Sequence, residues 1–289
     1  MYVLLQKLKI YPVLLKCHKA MKTINLYFKF QFTSLSPDAQ PISVGIVSDE
    51  LCGRCFDKNL KPNDDCENCS GEWHKGLNRF PFYAEFTDFQ IERCDDWVKE
   101  NVVSKLKYNK SEMAFDRDEL KNGNVIVKDN TEGIKQHLKG WLKHFSDYQI
   151  QFIVDCGTWD WYWMVQLLAE WDEVDLEEYC HKAVVNVLGI DVKFTPSNNP
   201  IFKIKTGLPK LPANISPVPF DLNDLIAIKK GITPKEAFDL NREELIESRN
   251  ILEEIGNTGK VYNLNQFPKH NALWDAKVIK GIYNKLSHE

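Results

Sequence analysis

The chain lacks any run of about 18 apolar residues, so nothing in it reads as a membrane span. It also lacks an excess of base. Its 41 acids against 37 lysines and arginines leave a net charge of −4. A protein that grips long duplex DNA over a wide face is ordinarily basic, so any nucleic-acid contact here must be local or assisted by metal ions. Glycine and proline are sparse, at 14 and 13 in 289 residues, with no internal repeat and no low-complexity tract, which excludes a collagen-like or wholly disordered chain. The composition that is present, 43% hydrophobic, 27% charged and 12% aromatic, is that of an ordinary soluble globular protein. A chain of this length buries a large core without disulfide staples.

The ends and the cysteines divide the chain. Lys7, Lys9, Lys16, Lys19 and Lys22 stand in a leader with no acid, which leaves −9 for the remainder. The leader lacks the order of a secretory signal, and it has neither the Arg nor the Ser of a transit peptide. Residues 1–21 are therefore expected to lie outside the core, which occupies 22–289. The eight cysteines do not follow a secreted disulfide pattern and fit a reducing, cytoplasmic compartment. Four of them are bunched as Cys52-x2-Cys55 and Cys66-x2-Cys69 around a short polar loop. Each pair can present two thiolates from one tight turn, and four sulfurs suit tetrahedral Zn2+. This predicts a structural zinc knuckle inserted at 51–79, whose few apolar groups would not order without the metal. The same insertion is a candidate surface for a protein partner.

Between these features the hydrophobic pattern alternates elements. Residues 23–32, 42–47 and 80–86 read as strands, linked closely enough to favour an antiparallel meander. A helix is expected at 94–106. Another is expected with Thr131 as its N-cap and Ile134, Leu138, Trp141, Leu142 and Phe145 at helical spacing. Residues 149–154 read as a buried strand, and Thr158 as the cap of a helix reaching Leu168. Residues 191–221 hold six of the thirteen prolines and read as a surface excursion. Helices are expected at 222–230, 234–255 and 271–286. The order predicts an α/β fold with a mixed sheet flanked by helices.

The last helix opens Lys269-His270-Asn271-Ala272-Leu273-Trp274-Asp275-Ala276. This His-x4-Asp-Ala string resembles the third motif of the DEDDh group of 3′-5′ exonucleases. Phe32-Thr33-Ser34-Leu35 followed by Ile42-Ser43-Val44-Gly45-Ile46-Val47 resembles the first hairpin of the small exoribonucleases in that group. Asp160-Trp161 resembles the second motif, and Phe82–Phe86 and Cys94–Val98 are also similar. The resemblance spans about 22–108, 130–170 and 220–286. It implies an RNase H-like fold, often dimeric, and an activity on single-stranded RNA or DNA 3′ ends or nucleotides.

In the family, an Asp-x-Glu pair on the first strand and two later aspartates hold two Mg2+ or Mn2+ ions, and a histidine is the general base. Such hard ions want carboxylate oxygens. The resemblance places Asp160 and Asp275 at the later aspartates and His270 at the base. At the first motif it places Lys29 and Gln31, an ammonium and an amide. Asp49-Glu50 are adjacent and point to opposite faces of a strand, and Glu85 and Asp88 have the reverse order and spacing, so neither pair restores the first motif well; an active enzyme would need a shifted acid such as Glu85. Asp155, at the end of the preceding strand, is a second candidate beside Asp160. Three readings result. The chain is a nuclease-fold binder of 3′ ends with weak or lost hydrolysis, an active metal-dependent 3′-5′ exoribonuclease, or a scaffold working through its zinc knuckle. Of the aromatics at 159–163, Trp159 and Trp161 are the candidates for stacking on bases.

Overall fold

A computed structural model describes residues 21–49, 81–108, 113–115, 124–175, 203–246 and 269–289. The four cysteines expected to bind zinc (Cys52, Cys55, Cys66 and Cys69), the leader up to residue 20 and the first part of the proline-rich stretch lie outside the described residues.

The protein is α/β, built on a mixed seven-stranded sheet. Its strands are β1 (Lys22–Phe32), β2 (Pro41–Ser48), β3 (Phe82–Phe86), β4 (Ala114–Phe115), β5 (Val125–Asp129), β6 (Tyr148–Val154) and β9 (Phe220–Asp221). They are ordered β4-β5-β3-β2-β1-β6-β9. β1, β2 and β3 form the expected antiparallel meander, while β6 runs parallel to β1 and β9 parallel to β6. Every residue of β2 is buried, as a central strand covered on both faces must be. For the same reason polar–apolar alternation is muted in β1.

Helices cover both faces. Ile24, Leu26, Phe28 and Phe30 of β1 join a core with α2 (Thr131–Leu142) and α3 (Trp159–Leu168). Tyr27 faces the other way, into a core shared with α4 (Leu222–Lys230) and α7 (Ala272–His288). Lys29 and Gln31 therefore lie on the α7 face, by the two-residue period of a strand. Gly45, opposite Lys29 on β2, lets α7 approach closely. A Cβ there would meet the backbone nitrogen of Leu273.

Several expectations need correction. The 94–106 helix is only α1 (Asp96–Asn101), capped by Asp95, followed by a 3-10 turn at Val103–Lys105. Asn130, not Thr131, caps α2, and its side chain accepts from Gly133 N. Thr158 makes no cap bond to α3. The helix expected at 234–255 is interrupted, giving α5 (Pro234–Asp239) and α6 (Arg242–Leu245), because Leu240 is extended and Asn241 caps anew. The proline-rich stretch is not all excursion. Lys203–Lys210 forms β8, paired with β7 (Glu170–Asp175) in a separate two-stranded sheet, and Ile215 bridges Ile150 and is buried. β5 was not foreseen either. Its Val-Ile-Val run is only three residues long, below the length at which a strand pattern declares itself, although Asn122-Gly123-Asn124 and Asp129-Asn130 bound it.

No helix among the described residues is long and apolar enough to cross a membrane.

Candidate functional site

β1 and β6 run parallel until Phe28 pairs with Val154, where β6 ends while β1 continues to Phe32. The residues just beyond that pair, Lys29 on β1 and Asp155 after β6, stand where the parallel pairing stops, at the carboxyl end of β6. Open α/β sheets place their ligands there. The N-terminal turn of α3 brings in Asp160, and the N-terminal turn of α7 brings in Asp275.

Asp160 is fully buried, with 0% exposure. Its Oδ2 is 2.8 Å from Lys29 Nζ, and its Oδ1 accepts from the backbone N–H of Phe30 at 2.9 Å. Standing in the first turn of α3, its charge is also favoured by the helix dipole. The Lys29 side chain is 22% exposed, so one end of this pair still reaches water. Burial works against the Lys29 charge, but Asp160 and then Asp155 outweigh it and hold the ammonium well above its ordinary value. Lys29 does not snorkel away from the site; it is the counterion of Asp160.

Gln31 Nε2 donates to Asp275 Oδ2 at 2.5 Å. Burial, with Asp155 adding repulsion, pushes the Asp275 carboxyl up to about 7, against the opposing pull of Lys29 and Gln31. The four positions singled out by the resemblance thus meet as two pairs, Lys29 with Asp160 and Gln31 with Asp275.

His270 sits just before α7 in a left-handed conformation at φ 66°, which a residue with a Cβ adopts only under constraint. The constraint is visible on both sides. Lys269 Nζ bonds Glu243 Oε2 at 2.8 Å. Asn271 caps α7 by accepting from Leu273 N, and donates to the Tyr83 hydroxyl at 2.8 Å. The His270 ring meets Trp97 edge-on, with centroids 5.4 Å apart, and no hydrogen bond joins it to Asp160 or Asp275. Burial, then Lys105 and Lys269, hold its imidazole below the ordinary value, so it is neutral at pH 7. That is the form a general base needs.

Asp155 belongs to a network that sequence reasoning missed. It accepts from Arg242 Nε at 2.6 Å. Arg242 also donates to Asn223 Oδ1 and to the carbonyls of Ala237 and Leu240, while Asn223 donates to the Asp155 carbonyl and to Asp221. Only the cap sequence Asn241-Arg242 hinted that this segment turns back on the sheet. A second cation is therefore tied into the site, beside Lys29.

The other acids are committed elsewhere. Glu85 lies in the same cross-strand row as Gln31 and Ser43, two strands away, or roughly 10 Å at ordinary strand spacing. Its carboxylate accepts from the Tyr83 hydroxyl and the Tyr108 backbone, and burial raises it. Asp49 accepts from Asn25 N and the Tyr27 hydroxyl. Among the described residues, no group of three or more His, Cys, Asp and Glu side chains is placed to hold a metal ion. Trp161, a candidate for stacking on bases, packs instead against Phe28 and Phe152. The exposed aromatics near these elements are Tyr162, at 53%, and Trp97, at 55%.

No protein-family model matches the chain, and no curated protein does.

Proposed function

We propose that this chain is an RNase H-like protein of the 3′-5′ exonuclease kind that binds 3′ ends of single-stranded RNA or DNA and hydrolyses them weakly or not at all. The central strand order β3-β2-β1-β6-β9, antiparallel on one side of β1 and parallel on the other, supports the fold part of this reading. The observation that carries the functional part is the Lys29–Asp160 ion pair beside the Gln31–Asp275 hydrogen bond.

Two hard divalent ions need several carboxylate oxygens facing one space. Here one carboxylate already has an ammonium at contact distance, and the other is held by an amide and part-protonated near neutral pH. A metal entering would have to displace Lys29 against its own charge. The residues present do not fit a pair of such ions.

These residues can still bind. Lys29 is partly open to water and supplies a fixed positive charge where a metal's charge would otherwise act on phosphate. The Lys105 ammonium adds positive charge near His270, whereas that of Lys269 is paired with Glu243. Loss of metal assistance removes several kcal/mol of transition-state stabilisation, so hydrolysis falls by orders of magnitude, on the order of tenfold per 1.4 kcal/mol.

The test uses 3′-labelled single-stranded RNA and DNA with Mn2+, read both for shortening and for binding by anisotropy. Binding that needs no divalent ion, with no shortening, is expected. Shortening that disappears in Asp275→Asn would refute the reading in favour of an active exoribonuclease. An absence of binding to either strand type would refute it altogether.

A further inference from the structure

α3 turns a side to water that carries no charge. Its ten residues, Trp159–Leu168, hold one charged side chain, Asp160, which is fully buried beside Lys29. At the 27% charged content of the whole chain, about three would be expected in a segment of this length. A helix lying on a sheet ordinarily shows charged residues on its outer side. Here Asp160, Met164, Leu167 and Leu168 are the buried residues. At 3.6 residues per turn, Trp159, Tyr162, Trp163 and Gln166 share the other side, at i, i+3, i+4 and i+7. Water meets three rings and an amide where it would ordinarily meet Lys or Glu.

The rings on this side are held in place. Trp163 packs on the core and meets Tyr162 edge to face, with centroids 5.6 Å apart and ring planes at 81°. That contact braces Tyr162, which is 53% exposed. A braced, open ring loses little rotamer freedom when a base covers it. Aromatic rings serve protein interfaces as well; what favours a single strand here is position. Trp159 adjoins Asp160 in the chain, so the aromatic side begins at the Lys29–Asp160 pair and leads away from it. No exposed carboxylate stands on α3 to repel phosphates along this path. Trp159 to Gln166 spans about 10 Å at 1.5 Å per residue, the length of about three stacked nucleotides at ~3.4 Å each.

We propose that the outer side of α3 stacks the bases upstream of the terminal nucleotide of a single strand whose 3′ end lies at Lys29 and Asp160, with Tyr162 as the main platform. The inference rests on the 3′-end reading and adds to it the path of the strand. Stacking uses the faces of the bases and not their edges, so the path tolerates any sequence.

Calorimetric titration of the full chain with diadenylate and with hexaadenylate, which share a 3′ end but not an upstream segment, tests this. Tyr162→Ser is expected to weaken hexaadenylate roughly fivefold or more and to leave diadenylate unchanged, and Tyr162→Trp is expected to restore hexaadenylate. The replaced side chain is exposed, so the buried side of α3 stays in place. Tyr162→Ser equal to the parent on hexaadenylate would overturn the path and leave the 3′-end reading standing. Equal loss on both oligonucleotides would put Tyr162 at the terminal nucleotide and overturn the upstream assignment. A parent that binds neither would refute the 3′-end reading itself, and the path with it. Conversion of a dimer to a monomer by Tyr162→Ser, read by light scattering, would assign this side of α3 to a second copy of the chain and overturn the proposal.

Discussion

Replacing Lys29 by Met keeps the length of the side chain and deletes its charge. Asp160 would then be a carboxylate at 0% exposure whose one remaining hydrogen-bond donor is the Phe30 N–H. Removing one partner of a buried ion pair typically costs about 3–5 kcal/mol, because the other charge is left uncompensated. The Lys29 side chain is 22% exposed, so solvent already screens part of this pair, and about 2–4 kcal/mol is the better figure. Asp160→Asn placed on top of Lys29→Met removes the stranded charge while keeping an oxygen for Phe30 N. The double variant should therefore recover to within about 1 kcal/mol of the parent, giving a coupling energy of about 2 kcal/mol or more in a double-mutant cycle, since the cost of Asp160→Asn alone adds to it. Urea unfolding followed by far-ultraviolet circular dichroism measures all four proteins, with a constant slope against urea as the check that the unfolded states compare. A Lys29→Met protein within about 0.5 kcal/mol of the parent would refute the reasoning, since the ammonium would then not be neutralising Asp160.

Other expectations follow from the same geometry. The Asp275 carboxyl is pushed up to about 7, well above its unfolded value, so the native state holds the extra proton between the two. Stability from this group is fully present below about pH 4 and lost as pH rises through about 7, by at most about 4 kcal/mol. Asp275→Asn should accordingly be more stable than the parent at pH 8 and no more stable at pH 4, measured by thermal unfolding at both. Lys29→Asp with Gln31→Glu should acquire stabilisation by Mn2+ that the parent lacks, read as a metal-dependent rise in Tm. Arg242→Met should cost about 2–4 kcal/mol, because Asp155 and two carbonyls lose their donor at once, and denaturant unfolding reads this directly. Elemental analysis of the purified full chain should find about one zinc per molecule, the expectation from the Cys52, Cys55, Cys66 and Cys69 spacing.

Local chemistry was enough to place much of the framework. The aromatic and β-branched run of β1, the apolar Ile42–Val47 segment and the Phe82–Phe86 strand were legible because each is continuous and bounded by turn residues. The closing helix was legible because Asn271 caps it and its apolar positions recur at helical spacing. Gly231, left-handed at φ 65°, ends α4 as a glycine after a helical run should. The candidate site residues were also named from local strings, and the presence of an ammonium at Lys29 and an amide at Gln31 is a property of the sequence alone.

What the tertiary structure decided is how those residues meet. A lysine on a strand can extend toward solvent or turn inward, and nothing within a few residues of Lys29 selects between them. The choice is made by Asp160, 131 positions away, which is buried beside it by the packing of α3 on the sheet. Gln31 finds Asp275 because Gly45 admits the start of α7 against β2, a close approach set by two distant segments. The Asp155–Arg242–Asn223 network and the β7–β8 pair escaped sequence reading for the same reason. Ion pairs and edge strands are satisfied by whatever the fold carries past them, and that depends on long-range packing and not on local propensity.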